Sequence, residues 1–468
     1  MSVFRPPTSF YEGIAWPGFP STAAAVRLAL LRQMEETQWL SRRAILSRQL
    51  LQLSQLLRHV WATVPYYRDR LEEAGIVPDR ALDYDTWLKL KPLQRGEVQS
   101  AGEALVSTAV PKEHGSIGEA STSGSTGEPV RVLSTQVTSL IWDVVTLREH
   151  LWQQRDLSAK MAVIRRISGG RAAYPGGLHL ERWGRAVGSV FGTGPLVALE
   201  IETSIANQVE WLQREEPAYL RVYPTNLLSL ANHCIAKGIA LPRLKQCLTF
   251  SELLRPEVRE ACREAFGVTV ADAYSSQEVG YISLQAPGYE HHLVQADCVL
   301  VEVVDEDGRL CKPGQVGRVI VTALHNFAKP FLRYDIGDYA EVGEPCPTGR
   351  QLPVLKRILG RERNMLIDAA GGEYWPAFGV RGLLAIVPVR QFQLAQTGLG
   401  EVEARMVVDE PLAPEKEAEV AAHFRSRLPE GFTVVLKYVR DIPRSAGGKF
   451  EDFVCEIERP EAPKSSGP

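Results

Sequence analysis

The sequence predicts an α/β fold built as a large unit followed by a smaller α+β unit. Three observations carry this reading. Helical stretches alternate with short apolar runs from about residue 140 to 345, the pattern of mainly parallel strands. From residue 298 the texture becomes strand-rich with Asp-Gly and Pro-Gly turns, and after "ILGRERN" a second strand–strand–helix–strand series begins. A chain of 468 residues, 45% of them apolar, can bury more than one core.

The elements follow in order. Between Leu40 and Trp61, Leu46, Leu50, Leu53, Leu57 and Val60 recur every three or four residues and predict an amphipathic helix. Pro65 stops it, and "VPYYRDRLEEAGI" begins another, within a helical region over 22–75. Further on, "SIANQVEWLQRE", "TNLLSLANHCIAKG" and "PEVREACREAFG" read as helices between the strands "YLRVY", "CLTF" and "TVADAY". "CVLVEVVDEDGRLCKPGQVGRVIVTAL" predicts a β-hairpin or small β-barrel. In the smaller unit "QFQLAQT", "EVEARMVV" and "FTVVLKYV" alternate like strands, and "PEKEAEVAAHFRSRL" is a polar-faced helix. The expected division is 1–362, 363–458 and a disordered tail over 459–468, "RPEAPKSSGP".

Composition excludes several classes of function. The formal charge is -3 with signs interspersed, so neither a nucleic-acid footprint nor a membrane-surface patch is expected. No run of 18 or more apolar residues occurs, and "MSVFRPPTSFYEG" lacks the charged start and apolar core of a signal peptide. The expectation is a soluble, cytoplasmic protein with small-molecule partners. Seven cysteines without a CxxC pair fit reduced thiols.

The stretch "STSGSTGEPVRV", residues 121–132, places five hydroxyl side chains and two glycines in its first seven positions before a strand-like run. Glycine allows close approach of backbone to ligand, and hydroxyls beside exposed N–H groups suit phosphate oxygens. A Ser/Gly-rich turn with no ligand has the same composition. The Gly-Lys-Ser/Thr of a Walker-type loop is absent, because Gly127 is followed by Glu128 and Pro129.

Four later stretches occur in a telling order: "AYSSQEVG" (273–280), "RYDIGD" (333–338), "GRERN" (360–364) and "PRSAGGKF" (443–450). Singly, each reads as a core edge, a turn or a solvated charge. Together with the phosphate-type loop they resemble the adenylate-forming superfamily of acyl-CoA synthetases, peptide-synthetase adenylation domains and luciferases. "LLRHVWATVPYYRDRL", "YPTNLLSLA" and "KPFLRYDIGD" are similar to the phenylacetate-CoA ligase branch and its relatives from capsule and natural-product gene clusters. The resemblance spans about residues 40 to 456.

The resemblance implies a large ATP- and acyl-binding domain, with parallel-sheet subdomains and a small β-barrel, and a mobile C-terminal domain carrying a catalytic lysine. It implies ATP-dependent, AMP-forming activation of a carboxylic acid, followed by transfer to coenzyme A or to a carrier-protein thiol, amine or hydroxyl. A non-catalytic nucleotide-binding descendant is the further alternative, and a homodimer is expected by analogy. Residue by residue, Ser123, Gly124, Ser125, Thr126 and Gly127 would wrap the ATP phosphates. Tyr274 would lie against adenine, whose edge meets the backbone near Ser251 and Glu252. Asp338 and Arg361 would hold the ribose, and Glu278 would hold Mg²⁺, a hard cation suited to a carboxylate and phosphate oxygens. Lys449 would bridge the substrate carboxylate and the α-phosphate, where charge develops. Arg363 would be the pivot, and Trp183, Phe191 and Tyr223 would line an acyl pocket for an aromatic acid.

The sequence departs from the pattern in three places. Glu128 and Val130 flank Pro129 where many relatives carry lysine, and Arg131 faces away from position 130 on a strand. Gln277 precedes Glu278 where threonine is usual, and Ser275 stands where glycine is frequent. Of the structural zinc site that several relatives build, only Cys346 and one of His291 or His292 survive, with Thr348 at a later cysteine position. Two ligands do not close a structural site, so no zinc is expected.

Overall fold

The computed structural model of the chain describes residues 5–121, 130–361, 364–369, 371–375, 382–383, 386–387, 389–445 and 448–457. Its N-terminal part is helical. Ser21 and Ser41 cap the helices Thr22–Thr37 and Arg42–Thr63 by accepting backbone N–H bonds from Ala24 and Ala44. In the second helix the buried face runs through Ile45, Gln49, Leu53, Leu56, Leu57 and Val60, while Leu46 and Leu50 are only half-buried. Leu53, Leu57 and Val60 of the expected stripe are buried, and Leu46 and Leu50 pack at its margin. The addition is polar: Gln49 lies inside, donating 2.9 Å bonds to the Ala296 and Val299 carbonyls, and an apolar count does not see it.

A twelve-stranded mixed sheet forms the body of the large unit. Five strands run parallel in the order Leu196–Glu200, Met161–Arg165, Tyr219–Val222, Gln246–Phe250 and Thr269–Ser276. The helices Ile205–Glu215, Pro224–Lys237 and Pro256–Phe266 connect them. Ser204 caps the first, proline opens the other two, and Gly238 and Gly267 end those two in the left-handed conformation that glycine adopts without cost. Alternate residues of these strands enter different cores: Ala162, Ile164, Leu220 and Cys247 pack in one cluster, Met161, Val163, Tyr219 and Leu248 in another. Burial on both faces is what makes the runs continuously apolar.

The strands from Val299 onward do not form a separate barrel. Val299–Val304, Val316–Ala323, Tyr334–Val342 and Val354–Arg361 pair antiparallel in succession, and the last continues through His292–Val294 and Gly280–Gln285 into the parallel region. The expected barrel is the antiparallel end of the one sheet, because the His292↔Leu355 and Leu293↔Val354 pairs join the two.

The smaller unit has its own four-stranded sheet, in the order Thr433–Tyr438, Glu401–Val407, Gln391–Gly398, Phe453–Cys455, with the helix Pro414–Arg425 packed on it. Leu366, Leu394, Val402, Met406, Val420, Phe424 and Phe453 make its core. Arg444, Phe450 and Asp452 of its return segment meet Glu252 and Arg255, just beyond the strand Gln246–Phe250 of the large unit.

Candidate active site

The carboxyl ends of parallel strands in an open α/β sheet are where loops can converge on a ligand. Here the pairing Phe250↔Ala273 brings Ser251 beside Tyr274 on the neighbouring strand. Ser251 has φ 69°, and the Glu252 N–H closes a three-residue turn onto the Phe250 carbonyl at 2.9 Å. That is a γ-turn of the rarer, strained hand. It turns the chain abruptly and directs the Glu252 carboxyl into the fold, where its side chain is 4% exposed.

Tyr274 donates a 2.6 Å hydrogen bond to Oδ2 of Asp338. Asp338 pairs in register with Arg361 across the two neighbouring strands, and the guanidinium Nε lies 3.5 Å from Oδ1. Burial, then the adjacent Asp338 carboxylate, push the Tyr274 phenol well above its ordinary range, so the hydroxyl stays a donor. Arg361 keeps a raised pKa although burial lowers it, because Asp338 and Glu278 stand near.

Glu278 sits in the turn between Thr269–Ser276 and Gly280–Gln285 and is buried. Arg95 reaches to 3.7 Å from its carboxylate. Arg95 is placed by a short parallel bridge, Leu93↔Tyr334, which seats the start of the helix Arg95–Ala101 on the strand Tyr334–Val342. Sequence reasoning missed this residue. The available signal was a cation in a helix's first turn, where it opposes the helix dipole.

Lys449 enters from the smaller unit on a tight turn. Ser445 N–H bonds to the Lys449 carbonyl at 2.8 Å, and Lys449 N–H bonds to the Ser445 hydroxyl at 3.2 Å. Gly448 has φ 82°, and a Cβ there would lie 3.2 Å from both Arg166 Cβ and the Tyr223 hydroxyl, so both conformation and space require glycine. Burial lowers the Lys449 pKa, with Arg361 acting the same way and Asp338, Glu278 and Glu252 opposing it. One lysine from the small unit thus shares a field with three acids and an arginine of the large one.

A scan against family profiles matches residues 80–328 to the family described as AMP-binding enzyme, more than half of the chain. The chain belongs to the AMP-binding enzyme family. This AMP-binding enzyme is 27% identical over 402 residues to a phenylacetate-coenzyme A ligase of Thermus thermophilus, covering 82% of this chain and 86% of that protein. It is 27% identical to a phenylacetate-coenzyme A ligase of Pseudomonas putida, over 72% of this chain and 75% of that one. Among solved structures, 2-hydroxyisobutyryl-CoA ligase in complex with 2-HIB-AMP superimposes with a TM-score of 0.67 at 18% identity, covering 87% of this chain and 89% of that chain. The last shows the shared fold.

Within this AMP-binding enzyme, Tyr274, Asp338, Arg361, Glu278 and Lys449 are gathered at one place, with Ser251, Glu252 and Tyr223 at its edge. The Tyr223 ring packs 4.8 Å from that of Phe250, beneath the Gly448 turn. Trp183, Phe191 and Tyr223, expected along an acyl pocket, are all buried. Trp183 is buried between His150 and Tyr219 with its indole N–H bonded to the Ala159 carbonyl at 2.9 Å, and Phe191 lies in the same apolar core. Aromatic character alone does not separate a pocket wall from a core. Ser123, Gly124, Ser125, Thr126 and Gly127 lie outside the described residues, as does Arg363. The strands Ile117–Ser121 and Arg131–Thr135 that bracket the phosphate-type loop form an antiparallel hairpin ending at Ser121↔Arg131.

Arg131 is committed elsewhere, pairing with Glu103 and, at 2.9 Å, with Glu119. The zinc question narrows to one histidine. His291 Nε2 is 3.1 Å from Cys346 Sγ, and the thiol is 3.0 Å from the Thr348 hydroxyl. His292 instead faces Ser283 and Asp272. Hydrogen bonds join the positions where a metal would need further thiolates. Among the described residues no group of three or more His, Cys, Asp or Glu is placed to hold a metal, and none of the helices is long and apolar enough to cross a membrane.

Proposed function

We propose that this enzyme activates a carboxylic acid with ATP, forming an acyl-adenylate and pyrophosphate, and passes the acyl group to coenzyme A. The observation that carries the reading is the cluster in which Asp338 meets Tyr274 at 2.6 Å and Arg361 at 3.5 Å, beside which the Lys449 turn is held by the 2.7 Å bond from the Phe450 N–H to Glu252. A carboxylate oxygen of the acid attacks the α-phosphorus while the bond to pyrophosphate breaks. Such a step needs alignment and charge compensation, and no side-chain nucleophile. The Lys449 ammonium offsets the negative charge that develops on the α-phosphate and the attacking carboxylate. Asp338 accepts from the ribose hydroxyls while Tyr274 and Arg361 fix its orientation. In the second half-reaction the thiol sulfur attacks the acyl carbonyl and AMP leaves.

The Glu278 carboxylate fits Mg²⁺, a hard cation that completes its shell with phosphate oxygens and water. When bound there it neutralises charge on the phosphates. Arg95 beside Glu278 supplies a fixed cation in the same neighbourhood. The named phenylacetate-CoA ligases favour an aromatic acid as substrate.

The test is ATP–pyrophosphate exchange with phenylacetate and a panel of aromatic and aliphatic acids, followed by mass spectrometry of products with and without CoA. Exchange with one acid and a CoA thioester is the expected result. Exchange without a thioester would move the acceptor to a carrier protein, an amine or a hydroxyl. Tight ATP binding without exchange for any acid would overturn the catalytic reading.

A further inference from the structure

We infer that Glu252 is the positioning residue for Lys449, acting as a two-ended clamp that ties the lysine turn to the large unit. The inference rests on the adenylation reading above but concerns residues which that reading left without a role in the chemistry. One oxygen, Oε1, accepts the Phe450 backbone N–H at 2.7 Å and lies 3.6 Å from the Arg444 guanidinium. The other, Oε2, accepts both the backbone N–H and the hydroxyl of Thr225, at 3.0 and 2.8 Å. Thr225 is in the first turn of the helix Pro224–Lys237, whose unsatisfied N–H groups favour a carboxylate.

Both ends therefore present donors, and only a carboxylate can accept at both. A glutamine has one oxygen and must leave either Phe450 or Thr225 facing an amide nitrogen. The geometry is fixed from below by the strained γ-turn at Ser251, a cost that the surrounding contacts hold in place. It is fixed from above by Arg444, which also donates to the Gly448 carbonyl at 3.1 Å and stacks 5.5 Å over the Phe450 ring. Lys449 lies between the two residues so held.

A second clasp runs parallel to the first. Arg255 meets Asp452 through both carboxylate oxygens, at 2.7 and 2.9 Å, with both side chains about one-fifth exposed. A bidentate pair restricts rotation as well as distance. Glu252 and Arg255 flank one turn of the large unit, and Phe450 and Asp452 lie just before the strand Phe453–Cys455 of the small one. Together they set the height and angle at which Lys449 enters, and a displacement of the order of 1 Å at a reacting group costs about 10²-fold in rate.

The experiment compares wild type with Glu252→Gln, Glu252→Ala, Asp452→Asn, Arg255→Asp and the exchange Arg255→Asp with Asp452→Arg. Two readouts are taken. Hydrogen exchange followed by mass spectrometry reports the Phe450 amide without any substrate, and ATP–pyrophosphate exchange with phenylacetate reports kcat and the KM for ATP. The expected result for Glu252→Ala is faster exchange at Phe450, and for both Glu252 variants kcat down about tenfold or more with KM for ATP within about twofold. Asp452→Asn moves kcat the same way by less, and the charge exchange restores part of it over Arg255→Asp alone. Asp452→Asn leaves Thr225 untouched, so it keeps the test open if the Glu252 variants do not fold.

Unchanged protection at Phe450 in Glu252→Ala would overturn the clamp. So would lost protection with unchanged kcat, or a KM increase with kcat preserved. If wild type supports no exchange with any acid, the activity reading fails, and the hydrogen-exchange comparison still decides whether Glu252 holds the turn.

Discussion

Tyr274 and Asp338, 64 residues apart in sequence, share a 2.6 Å hydrogen bond across the sheet. The bond occupies Oδ2 of a carboxylate whose other oxygen faces Arg361 at 3.5 Å. Asp338 is thereby oriented before nucleotide arrives. Asp338→Asn should weaken ATP binding by roughly 1–3 kcal/mol, the range for losing a charged acceptor. Tyr274→Phe keeps the ring and loses only the tether, so about 1 kcal/mol or less is expected. Calorimetric titration with ATP measures both; equal affinity in Asp338→Asn and wild type would remove the ribose role.

Lys449→Ala should abolish adenylation and leave ATP binding largely intact, because the ammonium acts on charge that develops in the transition state. Pyrophosphate exchange within about tenfold of wild type, less than ~1.4 kcal/mol of barrier, would rule that role out.

The pH dependence has a definite sign. The working form of Lys449 is the ammonium, and burial with Arg361 nearby lowers its pKa. It is therefore lost, as pH rises, earlier than for a free lysine near about 10.4. The exchange rate should fall on an alkaline limb below that value. In Lys449→Arg any residual activity should lack this limb, since a guanidinium does not titrate there.

Arg95 stands 3.7 Å from a Glu278 carboxylate that is 7% exposed. In Arg95→Met that carboxylate loses one neighbouring cation, so the Mg²⁺ concentration for half-maximal exchange should fall, since one fixed charge fewer competes. Stability should drop by about 1 kcal/mol, a modest figure because Arg95 retains solvent contact. A magnesium titration and a thermal melt test the two effects, and an unchanged magnesium midpoint would separate Arg95 from the metal.

Arg131 should be dispensable. Its guanidinium is engaged by Glu103 and Glu119 on an exposed hairpin. Arg131→Ala is expected to keep kcat and KM for ATP within about twofold and stability within about 0.5 kcal/mol. A tenfold rise in KM would instead give it the duty of the missing loop lysine.

Apolar periodicity and the order of the motifs were enough to read the α/β class and the family from the sequence. Apolar periodicity sets the strands and helices, and the motifs from 273 to 450 keep their order however the chain folds. What it did not determine is which side chains share a space. The buried face of the helix at 45–60 also takes in Gln49, satisfied there by two carbonyls, information carried by distant residues. Trp183 and Tyr223 are alike as aromatic letters and both are buried, yet Trp183 packs against His150 and Tyr219 while Tyr223 lies under Gly448. Arg95 meets Glu278 only because Leu93 is registered on Tyr334. Glu252, expected beside adenine through its backbone, proves to hold Phe450 and Thr225 with its carboxylate. Hydrogen bonds and charges act over a few ångströms in space, and separation along the chain carries no record of that distance.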